Sequence, residues 1–144
     1  MGLFMNNISY EEADLTGFVS YFDSSYEEIL SSSVIEYIDN PNIMLFEFYR
    51  ITKDNGFLII SAHNLFSLIR ITQDLIRFFS KFIGKDRFSY LSVSKNSYSS
   101  KQFINIVEES GFTVQSIKRF SPIFNRLFSA ISAHSLTIII AIKK

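Results

Sequence analysis

The chain has 144 residues, is 47% apolar and is formally neutral, with fourteen basic and fourteen acidic side chains and no cysteine. That length builds one hydrophobic core and excludes two ordinary domains, so a single domain over residues 1–144 is expected. The absence of cysteine excludes disulfides, thiolate nucleophiles and Cys-based zinc sites.

The opening residues show no basic region followed by an apolar run, and the most apolar stretch, Leu136 to Ile142, is far too short to span a bilayer. A soluble, cytoplasmic protein is the expectation. The signs of charge separate along the chain. The first 49 residues carry nine carboxylates and no Lys or Arg, whereas all fourteen basic residues lie from Arg50 onward against five acids. Two readings fit. The oppositely charged segments stabilise each other across one folded surface, or the basic half draws an anionic, phospholipid-like substrate.

In chain order, Asn6 to Leu15 alternates weakly and predicts a short strand running into the loop of residues 17–25, marked by Gly17, Asp23 and a Ser pair. Glu28 to Ser32 predicts a strand buried at its apolar positions, and Val34 to Ile38 a turn of helix. Pro41 then opens a helix to Thr52, where the missing proline N–H is harmless. Lys53 to Gly56 predicts a turn with Gly56 free to take positive φ. Phe57 to Ala62 is a near-continuous apolar run, the pattern of a central parallel strand covered on both faces.

Leu65 to Ile83 carries apolar residues at helical spacing and stops at Gly84. Residues 85–97 read as loop. Ser99 opens a helix to Ser110, closed by Gly111, and Phe112 to Phe120 predicts a strand. Ser121-Pro122 breaks the chain, Ile123 to Ile131 predicts a short helix, and Leu136 to Lys143 a final strand. No internal repeat is present.

Tyr26 to Asn64 thus reads as strand, short helix, helix, turn, strand. With Ser31-Ser32-Ser33 at a strand end, Glu47 and Arg50 in an E-x-x-R pattern, Gly56 at the turn and the strand Phe57 to Ser61, it resembles the class I S-adenosylmethionine-dependent methyltransferases, of the type 11, small-molecule kind. The segment from Tyr98 to Val114 matches what that family shows before its sixth strand. The one departure here is Tyr26-Glu27, where the family more often has Phe-Asp.

The family's opening Gly-rich turn, D-x-G-x-G-x-G, is absent: Gly2, Gly17, Gly56, Gly84 and Gly111 are too dispersed to let a backbone approach a nucleotide closely. The fold class implied is therefore α/β, a partial Rossmann-like class I methyltransferase fold. Its mostly parallel sheet has the order four, five, seven, six, the last strand inserts antiparallel, and the first strands are missing. Strand four would then keep an open edge of N–H and C=O groups, a site for a second copy or a complementary chain.

The resemblance also implies site residues. Asp14 falls where an acidic residue approaches the adenine amino group of S-adenosylmethionine, with Leu15 beside it as backbone donor and apolar contact. Ser32 and Ser33 fall at the strand end that lines the methionine part. The plainer alternatives are a loop carboxylate at Asp14 and helix capping by the serines before Val34.

His63 and Asn64 follow strand five, at the edge where open α/β sheets place ligands. His63 is the candidate catalytic base, taking a proton from an acceptor near neutral pH, with simple hydrogen bonding as its alternative. His134 reads as structural. The two histidines lack metal-ligand spacing, so no metal is expected. Glu47 and Arg50 read as a helix-face pair.

Sixteen Phe and seven Tyr, several interleaved with Arg and Lys between Phe66 and Tyr90, read as core at helical spacing rather than as a nucleic-acid stacking surface. Alternatively they cover an apolar or lipid-like methyl acceptor.

The expected activity is methyl transfer from S-adenosylmethionine to an O or N atom of a small molecule, weak or absent in this chain alone. The alternative is a degenerate or split module acting as a non-catalytic interaction partner.

Overall fold

The computed structural model describes residues 9–65, 94–120 and 135–144, together with residues 75, 76, 78 and 79. Its regular elements are β1 (Tyr26–Ser32), a 3₁₀ turn (Ile35–Tyr37), α1 (Pro41–Ile51), β2 (Thr52–His63), α2 (Ser100–Glu109), β3 (Thr113–Phe120) and β4 (Leu136–Ile142). The sheet order is β1-β2-β4-β3. β1 and β2 are parallel, and β4 is inserted antiparallel to both of its neighbours. This is the predicted order four, five, seven, six.

Each boundary has a local cause. Pro41 stands at the first turn of α1. α2 begins with a capping box in which the Ser99 hydroxyl accepts from the Gln102 amide at 3.3 Å and Gln102 Oε1 accepts from the Ser99 amide at 3.0 Å. It ends at Gly111, whose φ of +104° suits a residue without Cβ; an added Cβ would also meet the Tyr49 ring at 2.9 Å.

Leu58, Ile60, Ile139 and Ala141, in register across β2 and β4, form one buried sheet face. Met44, Leu45, Phe48 and Ile51 of α1 and Phe103 and Val107 of α2 cover it. The edge-on contact of Tyr49 with Phe112, 5.2 Å between centroids, places both helices on that side.

Several expectations are corrected. Residues 9–14 take no regular structure, and the remainder of the segment from Asn6 lies outside the described residues. Asp14 Oδ1 accepts from both the backbone N–H and the hydroxyl of Thr16, a local turn that competes with strand pairing. In the turn at 53–56 it is Asn55 that takes positive φ, +63°. The turn is a bulge within β2: Tyr26 pairs with Thr52 but Glu28 with Phe57, so extra residues loop out. Gly56 serves packing instead, since a Cβ there would lie 2.8 Å from the carbonyl oxygens of both Glu27 and Lys53.

The second sheet face is not covered by any described helix. Leu30 is 76% exposed, and Ile59 and Ile140 are half-buried. Leu75, Ile76, Phe78 and Phe79 are helical, while the rest of the expected helix over 65–83, most of the loop over 85–97, the helix over 123–131 and His134 lie outside the described residues.

Opposite charges do meet across the fold. Arg50 pairs with Asp23, Lys53 with Glu27 at 3.0 Å and Lys95 with Asp39 at 2.6 Å, joining the acidic first third to the basic remainder. Most of these pairs are exposed, so each adds little stability.

Candidate functional site

The C-terminal ends of the parallel strands β1 and β2 lie side by side, Ser32 in register with Ser61 and His63 two residues further along. At this end Ser33 adopts φ of +54°, a left-handed conformation that side chains resist. It is held there because its N–H reaches both the carbonyl oxygen and the hydroxyl of Ser61 at 3.1 Å. The Ser61 hydroxyl in turn donates to Ser32 Oγ at 3.4 Å. Ser32 and Ser33 do not cap the turn that follows, because its N-cap, Val34, receives no side-chain bond.

That turn delivers Glu36, a residue the sequence reading left unassigned among the acidic residues of the first segment. Its side chain is 2% exposed. Oε1 lies 2.7 Å from His63 Nδ1 and accepts from the His63 backbone N–H at 2.6 Å. The imidazole itself is about half exposed, at 48%. A carboxylate against Nδ1 favours the proton on that nitrogen.

The Glu36 carbonyl oxygen accepts from the backbone N–H groups of Lys95 and Asn96, and Asn96 Nδ2 donates to Ile38 O. Residues 95–96 are thereby fastened to the 3₁₀ turn. Just beyond them, Tyr98 bridges to Asn64 at the end of β2. The buried Tyr98 hydroxyl has no hydrogen-bond partner, and burial, followed by the Glu36 charge, pushes its pKa up to about 12. Signals for Glu36 did exist in the sequence: an acidic residue three positions after the strand-end serines, inside an otherwise apolar V-I-E-Y-I run.

Ser32, Ser33 and His63 are therefore brought to one sheet edge. Asp14 and Leu15 belong to the irregular segment before β1. Asp14 is exposed, its Oδ1 occupied by Thr16, whose backbone and side-chain bonds hold its carboxyl below the usual range. Leu15 packs partly buried against the core.

The segment after Leu15 is anchored by Arg50. Its guanidinium donates to the carbonyl oxygens of Val19 and Tyr21, to Asp23 and to Glu47, while Glu47 Oε2 also accepts from the Val19 N–H. The expected helix-face pair is thus a clamp that fastens residues 19–23 to α1. The Arg50 bonds hold the Glu47 carboxyl below its ordinary value against the opposing effect of burial.

At the opposite end of the sheet, a cleft of about 350 Å³ lies between Glu27, Glu28 and the β2 bulge. Among the described residues no cluster of three or more His, Asp or Glu side chains suits a metal ion, and no helix is long and apolar enough to cross a membrane.

No protein-family model matches the sequence, and no curated protein matches it. Solved structures do match by fold. An S-adenosylmethionine-dependent methyltransferase from Mesorhizobium loti superposes with a TM-score of 0.65 at 15% identity, over 94% of this chain and 69% of that one. The [4+2]-cyclase SpnF superposes with a TM-score of 0.60 at 13% identity, over 90% of this chain and 53% of that one. A chain of the complex between the Haloferax volcanii Trm112 methyltransferase activator and a methyltransferase superposes with a TM-score of 0.62 at 12% identity, over 96% and 62%. The chain thus spans little more than half the length of some of the structures it resembles. Sheet order, helix placement and these superpositions agree: this chain has the fold of a partial class I S-adenosylmethionine-dependent methyltransferase domain.

Proposed function

We propose that this chain is the acceptor-handling part of a small-molecule methyltransferase that uses S-adenosylmethionine and methylates an O or N atom. The observation that carries this reading is the convergence of Ser32, Ser33 and the His63–Glu36 pair at the C-terminal ends of two adjacent parallel strands, the edge at which open α/β sheets place ligands. In this reading His63 Nε2 takes the acceptor's proton, and Ser32 and Ser33 shape the adjacent wall. Asp14 and Leu15 are its adenine-side residues. A small or lipid-like acceptor and a cytoplasmic setting complete the proposal.

The chain's own residues fit one side of that cofactor only. Ser33 N–H is committed to Ser61, Asp14 Oδ1 to Thr16, and no Gly-rich turn exists in the sequence to bring backbone amides against a nucleotide. The residues in hand do not make a complete cradle, so the cofactor needs groups from elsewhere.

A second reading rests on a specific observation. Among the described residues β1 pairs only with β2, leaving its other edge open. An edge of that kind receives a strand from another chain. The chain is then a split or degenerate methyltransferase-like module completed by a complementary chain or a second copy. The Haloferax volcanii structure is a complex of a methyltransferase with an activator, and SpnF is a cyclase, so neither autonomy nor methyl transfer follows from the fold alone.

Calorimetric titration with S-adenosylmethionine and S-adenosylhomocysteine separates the two readings. Saturable micromolar binding supports cofactor use by this chain. No detectable heat with either ligand favours the split or degenerate module, and sizing in the presence of candidate partners then identifies what pairs with β1.

A further inference from the structure

Glu36 is the most deeply buried charged residue among the described residues. Stability alone does not favour such a group, because a buried ion pair replaced whole by apolar residues of similar volume is often neutral or stabilising. Glu36 instead presents a single oxygen to two groups of one residue, the backbone N–H and the imidazole Nδ1 of His63, at 2.6 and 2.7 Å. Two bonds to one residue fix a ring in rotation as well as in position, and they reach His63 at the last position of β2, where the ladder hands over to irregular chain.

We propose that Glu36 is a positioning residue: it holds the His63 ring at the strand end and sets its Nδ1–H tautomer, so that the site takes acceptors bearing a removable proton, an O–H above all. This rests on the reading of His63 as a base. Three features of the geometry support it. The Glu36 backbone is fastened at its carbonyl by Lys95 and Asn96, so the carboxylate is presented from a held turn rather than from a mobile side chain. The neighbouring turn residue Ser33 is locked in a left-handed conformation by Ser61, which fixes the path from β1 into that turn. The imidazole is half exposed while its carboxylate is sealed from water, an arrangement that leaves the ring accessible and shields the bond that orients it.

The experiment is ¹⁵N-histidine NMR of the whole chain, in which only His63 and His134 contribute and His63→Ala assigns the signals. At a pH where the ring is neutral, His63 is expected as the Nδ1–H tautomer with a downfield Nδ1 proton. In Glu36→Ala the Nδ1–H form is expected to give way to a mixture. Glu36→Gln, which keeps the shape and guards against misfolding, is expected to keep the ring in place while its Nδ1 proton moves upfield.

A wild-type His63 in the Nε2–H form, or a tautomer unchanged by Glu36→Ala in a folded protein, overturns the proposal whatever the activity. The base assignment is read separately. If His63→Ala leaves methyl transfer to an O–H acceptor unchanged while the tautomer signature depends on Glu36, the functional reading falls and the positioning role stands.

Discussion

Glu36 and Glu47 are both buried carboxylates from the same acidic stretch, yet their surroundings differ in kind. Glu47 is ringed by permanent donors: the Arg50 guanidinium takes both of its oxygens and the Val19 amide adds a second partner. Its charge is matched whatever the pH does near neutrality, and the result is mechanical, a loop tied to a helix. Among the described residues Glu36 has one side-chain partner, the half-exposed imidazole of His63. A buried carboxylate matched by arginine ties a loop to a helix; one matched by a half-exposed imidazole at a strand end holds that ring in place.

The largest test of that contrast is Glu47→Ala. Removing one member of a buried pair strands the other, and a loss of about 3 kcal/mol in urea unfolding is expected, the low end of such changes because Arg50 keeps Asp23 and two carbonyls. Equal stability in the variant would erase the distinction.

The converse change, His63→Ala, leaves the buried Glu36 carboxylate with the His63 backbone N–H, so a stability loss of about 1–3 kcal/mol is expected, while methyl transfer by the completed assembly falls on the order of 100-fold. Unchanged methyl transfer would make His63 structural after all.

Acid sharpens the comparison. The Glu47 carboxyl is held below its ordinary 4.5 in the folded chain, so its contribution is complete above that pH and is lost as the pH falls through the lower folded value. Unfolding followed from pH 6 downward should weaken below about pH 4.5, and Glu47→Gln should flatten that limb. An unaltered limb would place the acid sensitivity elsewhere.

Smallest is Tyr98→Phe. The hydroxyl is buried without a partner, so its removal is expected to leave stability unchanged or raise it by up to about 1 kcal/mol in thermal unfolding. A clear loss would mean that the hydroxyl is satisfied after all.

Much of the fold was legible in the sequence because its signals are local. The Ser99–Gln102 capping box, Pro41 at a helix start and Gly111 in the left-handed region each act over a few residues. The Phe57 to Ala62 run announced the central strand. Legibility failed where partners are distant. The weak alternation before Asp14 has no described strand to join, and the left-handed position in the bulge fell to Asn55 because Gly56 is pressed against the carbonyls of Glu27 and Lys53. Ser32, Ser33 and His63 were named from the sequence and do meet at one edge.

What the sequence by itself determined is the series of elements and the lack of a Gly-rich turn, since periodicity, caps and composition are properties of neighbouring residues. Only the tertiary structure decided which carboxylate matters. Glu36 and Glu47 look alike in a list of acidic residues, and they part company because one turn carries Glu36 to the end of β2 and into contact with His63, while the face of α1 carries Glu47 to Arg50 and the backbone of Val19. Hydrogen bonds between residues 27 and 28 positions apart depend on chain packing that no local pattern encodes.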